Sequence, residues 1–522
     1  MRLRNAPLAL LRTLGLRLFH GLPRIPEGIS PQGLPSLPIG DRQGLAPVAP
    51  VHLWPRVHYR YITYRNAPSD LRSVWEPSRF RWARPEDFPA AFESWTKANP
   101  VGLGPQWSSS LEVAVRAINW AFLLEGADEL IAPEKKGHVI RWLVAHGRHL
   151  SANPEPHPIN HALGRALGLF VLGGYIRGLP EAEVWFHAGR REFSSLFPHA
   201  FLPDGSYAEG APGYAAFAVE MGLIYMALAR EWGLENDGVE IAIQRGLVFL
   251  ADLAWPDGSL PIIGDFDNGG VLRPSETEYI AYLRELAGFA GADFPEPGGT
   301  KHYPHGGFLV VRRNGLHLVA RVGDDPGQPG GHRHSDMGSF VLWMREPIVV
   351  DPGVYLYTGP DSLREELRSE TAHNLTWLEG KPMHIRDPRR PFTLEGRKKP
   401  LFSSWEGDSF VLRHDLFGPI AERRFVLLEN GIAIKDSVSE PGPWRVGFTL
   451  CPDVIPEPDG QGFTLRGKKG VYSLMMEEGR GIWSTESAVF CPRYGERIMT
   501  TRLIFTPLST AWRFGFYGDK GL

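Results

Sequence analysis

From residue 110 to residue 290 apolar side chains return every three or four positions, the spacing that lines one face of an α-helix. In SSSLEVAVRAINWAFLLEGADEL the residues Leu111, Val115, Ile118 and Phe122 form such a stripe, and the serines ahead of it can cap the first turn. Comparable amphipathic runs occupy 135–151, 160–177, 181–196, 212–232, 238–254 and 275–290, separated by Pro/Gly connections such as ANPEPHP and WPDGSLPIIGD. Helices of similar length with short connections predict helical hairpins closed into a bundle or an α/α toroid. Near residue 300 the period changes to that of strands. GFLVVRRNGLHLVARVG and RRFVLLENGIAIKDSVS each set two β-rich runs around Asn-Gly, at Asn314-Gly315 and Asn430-Gly431, the tight-hairpin signature. FVLWMREPIVVDPG and FCPRYGERIMTTRLIFTPL add further strands. The predicted fold is multidomain α and β: a Pro/Gly-rich arm over 1–60, a helical domain over 61–298 and an antiparallel β-sandwich over 299–522.

A chain of 522 residues with 43% hydrophobic content can build more than one core. Its formal net charge of −3 provides no global basic field, which excludes non-specific retention of nucleic acid and requires any acidic substrate to be met by a local site. The two cysteines, Cys451 and Cys491, have neither zinc-ribbon spacing nor the density of a disulfide scaffold. At the N-terminus Arg12 and Arg17 interrupt what a signal peptide would need as an apolar core, so no export signal is read there. The leucines with Arg2, Arg4, Arg12 and Arg17 between them fit either a membrane-surface helix or an ordinary docking helix. The expected location is therefore the cytoplasm or its membrane face, with the periplasm as the alternative.

The densest chemical cluster is GGHRHSDMGSF, where a strand would turn His332, His334 and Asp336 to one face. Asp351 follows in IVVDPG and His373 in ETAHN. Two imidazoles and a carboxylate suit zinc, although satisfied core or turn residues have the same spacing. In the helical half Asn160 and His161 stand at a helix start, and Tyr207, Glu209 and Tyr214 stand in and beside a loop before another, places where binding groups gather but where caps and packing residues also sit. Trp107, Glu112, Arg116, Asn119 and Trp120 are helically spaced and read equally as core with a buried ion pair. Asp265 and Asp267 form an acidic pair or a set of Asx turns.

Taken in order, N-H-x-L at a helix start, D-G-S-x-x-E-x-x-P-G-Y before another, I-G-D-x-D, G-H-x-H-x-D, V-D-P-G and A-H-N resemble the heparinase II/III-type polysaccharide lyases, which include heparin, heparan and alginate lyases. The resemblance runs from about residue 90 to residue 380. It implies an incomplete α/α toroid followed by the sandwich, a site in the cleft between them and a supporting Zn2+ inside the sandwich. Carried over by motif, Asn160 and His161 neutralise the substrate carboxylate, Tyr214 and His332 are the acid–base groups, and His334, Asp351 and His373 hold the zinc. Glu209, Tyr207, Arg368, Trp107 and Tyr357 complete the expected substrate-binding set. Two departures bear on specificity: Arg333 joins the two histidines where small residues are common, and Ala215 and Ala216 follow the tyrosine where a His is frequent.

The implied reaction is β-elimination on an acidic polysaccharide. Removing the C5 proton of a 4-linked uronate requires neutralisation of its carboxylate, then a base near C5 and an acid near the leaving O4. Two other readings compete. A glycoside hydrolase on the same scaffold needs two flanking carboxyl groups, for which Glu209 and Asp265 are the attractive pair. An accessory glycan-binding protein of exopolysaccharide metabolism would leave the polymer intact. The sequence leaves the oligomeric state open, a dimer included.

Overall fold

The computed structural model describes residues 58–518, apart from 65–66, 156–158, 236–237, 275–276, 324–330, 360–361 and 397–398, together with 22–23, 31, 33–35 and 37 of the arm. The basic N-terminal helix and its expected membrane contact lie outside the described residues.

Two short helices, α1 (Leu71–Trp75) and α2 (Phe88–Ala98), lead into α3 (Ser110–Gly126), α4 (Pro133–Ala152), α5 (Asn160–Tyr175), α6 (Pro180–Leu196), α7 (Pro212–Glu231), α8 (Val239–Leu253) and α9 (Tyr279–Ala290). Prolines in the first turns of α4, α6 and α7 occupy positions whose N–H has no partner within the helix. The stripes read from the sequence are one-sided only in part. α3, α5 and α7 are buried on nearly every side, because α4, α6 and α8 cover them from outside, so the helices stack in an inner and an outer row. The rows approach closely: a Cβ on Gly173 would lie 2.4 Å from the backbone nitrogen of Phe186, and one on Gly189 2.4 Å from that of Phe170. α7 is long and apolar enough to cross a membrane by length and composition, yet 94% of its most apolar window is buried inside the protein. The last helical run begins at Tyr279, with Glu278 as its cap, later than the 275 expected.

The sheet half begins with β1 (Lys301–Tyr303), β2 (Phe308–Arg313), β3 (Leu316–Arg321), β4 (Phe340–Met344) and β5 (Pro347–Val349), an antiparallel sheet in sequence order. Val310, Val319, Val341 and Trp343 from this sheet belong to the helical core, whereas Leu309, Val311, Leu318 and Leu342 belong to the sandwich core. The sheet is thus the middle layer. Burial on both faces is why these strands read as continuous apolar runs, not as alternation. Beyond it come α10 (Arg364–Leu367), β6 (Thr376–Leu378), the small hairpin β7 (Ile385–Arg386) and β8 (Leu394–Glu395), then β9 (Phe402–Glu406), β10 (Ser409–His414), β11 (Ala421–Leu428), β12 (Gly431–Val438) and β13 (Trp444–Thr449). The chain ends with β14 (Ile455–Asp459), β15 (Gly462–Arg466), β16 (Val471–Glu478), β17 (Gly481–Phe490), β18 (Ile498–Pro507) and β19 (Ala511–Tyr517). An eight-stranded sheet, β14-β15-β16-β19-β12-β11-β10-β9, faces the four-stranded β17-β18-β13-β6.

Both Asn-Gly hairpins form, for different reasons. Asn314 and Gly315 turn with φ of 47° and 76°, the left-handed pair that suits the twist of β2 and β3. At the second, the turn is Glu429-Asn430 and Gly431 is already paired with Leu428 in the strand; it must be glycine because a Cβ would meet the Phe516 carbonyl at 2.1 Å.

Candidate active site

Tyr214 is the third residue of α7, whose first turn Pro212 presets. Its ring stacks on His332 with centroids 3.5 Å apart and planes 12° from parallel. Its hydroxyl lies 2.8 Å from Asp267 Oδ2, to which it donates, and 2.6 Å from the Tyr357 hydroxyl. Groups from the helical domain, the loop before β4 and the loop after β5 therefore meet at one phenol. Burial, with the charges of Asp267 and Asp265, pushes the Tyr214 pKa well above its usual value, so the phenol keeps its proton at neutral pH.

Asp265 organises the second tier. It is wholly buried and takes Arg364 on both oxygens at 2.8 Å, His332 Nδ1 at 3.0 Å and His334 Nε2 at 2.9 Å. Although burial alone would raise its pKa, Arg364 and the two imidazoles hold the carboxyl well below the usual range. An ionised carboxylate only accepts, so both imidazoles donate to it, and in a neutral imidazole the other nitrogen is then a lone pair. For His332 that nitrogen is Nε2. For His334 it is Nδ1, which is enclosed and has no hydrogen-bond partner among the described residues. His373 repeats the pattern, its Nδ1 bonded to Asp351 at 2.8 Å and its Nε2 enclosed without a partner among the described residues.

One ligand atom from each of His334, Asp351 and His373 can be chosen so that all lie within 4.8 Å of one another. Two orphaned imidazole nitrogens beside a buried carboxylate fit a zinc-type donor set. The histidines do not converge through a strand, as alternation suggested. Residues 331–339 form a loop into β4, and Asp336 turns away to pair with Arg321 at 3.5 Å.

Asn160 and His161 open α5 directly after Ile159, which sits at φ 74° and ψ −106°. Positive φ is costly for a β-branched residue, and such strain persists where the surroundings enforce it. Asn160 is 2% exposed and its Nδ2 has no hydrogen-bond partner among the described residues. His161 keeps a partly exposed side chain, with Nδ1 3.8 Å from Glu155. Burial pulls its pKa down, but Glu155, Glu112 and Glu209 outweigh that and raise it. Glu209 receives the Tyr207 hydroxyl at 3.1 Å and lies in the fields of both His161 and His332, which ties the α5 start to the Tyr214 region. Burial raises the Glu209 pKa, and those neighbours only partly offset it.

The expected binding set divides. Tyr357 and Glu209 are in the cluster, while Tyr207 is fully buried and reaches it only through Glu209. Trp107 is 1% exposed and packs among Trp142, His146 and His149, as core. Arg368 is turned to the carbonyls of Pro391 and Thr393, at 2.6 and 3.2 Å, so the arginine beside the site is Arg364. Asp265, with four donors and no exposure, has no free oxygen for a glycosidic bond, which removes the Glu209–Asp265 pair a hydrolase would use.

Besides Arg364, three residues escaped sequence reasoning. Asp70 caps α1 through Ser73 N at 2.8 Å and also accepts the backbone N–H of Tyr357 and Thr358 at 3.2 and 3.1 Å. Arg72 donates to Asp267 at 3.2 Å, so α1 straps both domains to the phenol cluster. Phe392, between β7 and β8, packs on Tyr357 and His332 with centroids 5.2 and 5.9 Å away. The only local signal was the Asp ahead of LRSVW, a helix cap. A separate cavity of about 320 Å³ between the domains, lined by Trp255, Phe266, Arg273 and Asp351 among others, does not include Tyr214, His332 or Asn160 in its lining.

A helical double row, a sheet sandwich and a Tyr–His–Asp cluster at their junction define a toroid-plus-sandwich protein of the polysaccharide lyase type. The chain belongs to the heparinase II/III family: the heparinase II/III N-terminus matches residues 83–282 and the heparinase II/III-like C-terminal domain matches 295–512. Among solved structures, heparinase III is similar with 16% identity over 88% of this chain and 80% of that one, at a TM-score of 0.68. The heparan sulfate lyase of Pedobacter heparinus follows with 16% identity over 88% and 79%, at 0.58. The chondroitin AC lyase of Streptomyces coelicolor A3, solved with chondroitin sulphate, has 11% identity over 86% and 74%, at 0.50. No curated protein matches in sequence.

Proposed function

We propose that this protein cleaves a uronic-acid-containing polysaccharide by β-elimination at the Tyr214 cluster. The observation that carries the reading is the stacked Tyr214–His332 pair, its proton positions fixed by Asp267 and Asp265, with Glu209 lying in the fields of both His332 and the His161 that follows Asn160. The Asn160 amide and the protonated His161 neutralise the uronate carboxylate, which stabilises the enolate-like charge that develops as C5 loses its proton. His332, donating Nδ1–H to Asp265, offers Nε2 as the base. Tyr214, a neutral phenol at rest, gives its proton to the leaving O4. The test is ultraviolet absorbance during incubation with uronate polymers, since elimination leaves a C4=C5 bond conjugated to the carboxylate. New reducing ends without absorbance would mean hydrolysis, and unchanged polymer would mean a binding role.

His161 gives the reading a pH signature. The active form is the protonated one, so kcat/KM falls as pH rises through its pKa, which lies above the ordinary 6.5. Glu155→Gln removes a charge that holds the proton on, and the alkaline limb of the profile is expected to move to lower pH. An unmoved limb would take His161 out of the role.

His334, Asp351 and His373 would hold a zinc ion. Bound there it supplies a fixed positive charge and ties the loop that carries His332 to the sandwich. Elemental analysis is expected to find one equivalent in the wild type and none in His373→Ala. Chelation should lower Tm, by an amount that corresponds to about 4 kcal/mol when metal had been present at a thousandfold its Kd.

A further inference from the structure

Residues 264–273, which carry Asp265 and Asp267, run as irregular chain between α8 and α9. Gly269 and Gly270 stand in the middle of this loop, where backbone freedom is greatest, so its place has to be set from outside. A carboxylate on α7 sets one end. Glu220, with no exposure, accepts the Val271 N–H on Oε2 at 3.0 Å and the N–H groups of Leu272 and Arg273 on Oε1 at 2.8 and 2.9 Å, and the Tyr279 hydroxyl donates to Oε2 at 3.0 Å. Three successive backbone N–H groups make a concavity suited to an anion, and four donors fill the carboxylate. The grip extends back along the loop. Arg81 binds the carbonyls of Arg273 and Asn268 at 2.7 and 3.2 Å, and a Cβ on Gly270 would lie 2.8 Å from Arg81 Nη1 and 3.3 Å from Glu220 Oε2. At the other end Phe266 packs on Gly213, where a Cβ would meet its ring at 2.7 Å, and Asp267 takes the Tyr214 hydroxyl at 2.8 Å. One helix therefore holds both the phenol and the loop that aligns it, at points about 9 Å apart along its axis.

We infer that Glu220 is a positioning residue for Tyr214: by fixing the 271–273 end of the loop on α7 it sets Asp267 against the phenol hydroxyl. Its effect on rate rests on the lyase reading of the same site. Glu220 acts through Asp267, whereas the Asn160 and His161 that meet the substrate carboxylate open a different helix. Its loss therefore falls on kcat, with KM little changed.

The experiment uses Glu220→Gln, which keeps the side-chain size. The amide oxygen can still receive Leu272 and Arg273, whereas its NH2 group meets the Val271 N–H donor to donor, so the corner nearest the glycines is released. The expected result is a kcat lower by roughly 10- to 100-fold, the effect of misplacing a reacting group by about an ångström, with oligosaccharide affinity unchanged. In the Tyr214→Phe background the same change should cost less than about threefold, because the hydroxyl it places is gone, whereas a general loosening of the fold would cost the same in both. A second readout needs no activity. In protein labelled at the tyrosine ring carbons, the Tyr214 phenol resonance at neutral pH, identified by its loss in Tyr214→Phe, is expected to move in Glu220→Gln. Should Glu220→Gln not fold, Tyr279→Phe removes one donor from the same carboxylate and is expected to move that resonance as well. Should no polymer give absorbance, the lyase reading fails by itself and the resonance decides the placement: a moved resonance upholds it. An unchanged kcat in an active enzyme, an equal loss in both backgrounds or an unmoved resonance overturns the inference.

Discussion

Tyr214→Phe is expected to slow elimination by roughly 10²–10⁴-fold, the range a positioned acid or base supplies. The change removes one oxygen from a ring that keeps its stacking on His332 at 3.5 Å. Asp267 loses the phenol but retains Arg72 at 3.2 Å and the Gly269 N–H at 2.8 Å, so the carboxylate stays paired and the fold is expected to persist. The phenol's proton is needed as O4 departs, so kcat should fall with KM little changed. Absorbance growth at the wild-type rate would remove Tyr214 from the mechanism and with it the proposed chemistry. Loss of absorbance with unchanged circular dichroism and unchanged oligosaccharide binding is the result that supports it.

Asn160→Ala is the second large effect, about 10²–10³-fold in kcat/KM, the range for removing one donor from an oxyanion-type site. Its particular signature is stability. Asn160 Nδ2 is enclosed with no partner among the described residues, so the free protein gives up no bond of that nitrogen there and is relieved of a desolvated donor. Tm is therefore expected to hold or rise while activity collapses. A fall in Tm of several degrees would show instead that Asn160 serves the packing of the α5 start. Asn160 and His161 act on one carboxylate, so the double change should cost less than the product of the singles.

The chemistry of the site was legible in short motifs because those motifs sit where the backbone changes direction. Asn160-His161 opens a helix, Tyr214 lies in the first turn of another, and His332 and His334 stand just ahead of a strand. The sequence reading took Arg368 for the site arginine, whereas Arg364, one helical turn earlier, is the one that meets Asp265, which only the fold shows. Trp107 looked like a sugar platform because aromatic residues serve both cores and carbohydrate sites, and its burial against Trp142 and His146 assigns it to the core.

Hydrophobic period fixes local structure without tertiary information, which is why the long helices and both hairpins among the described residues fall close to where the pattern put them, the start of α9 excepted. Family membership was likewise carried by the order of its motifs along the chain. Period does not say how many sides of an element are covered. That α3, α5 and α7 are enclosed and that β2–β4 form a middle layer followed only from packing. Nor does sequence spacing give distance across the cleft: Asp70 and Arg72 reach Tyr357 and Asp267 over separations of 287 and 195 residues. The residue types that do chemistry were set in the sequence, whereas their protonation states and charge partners were decided by burial, which only the assembled domains create.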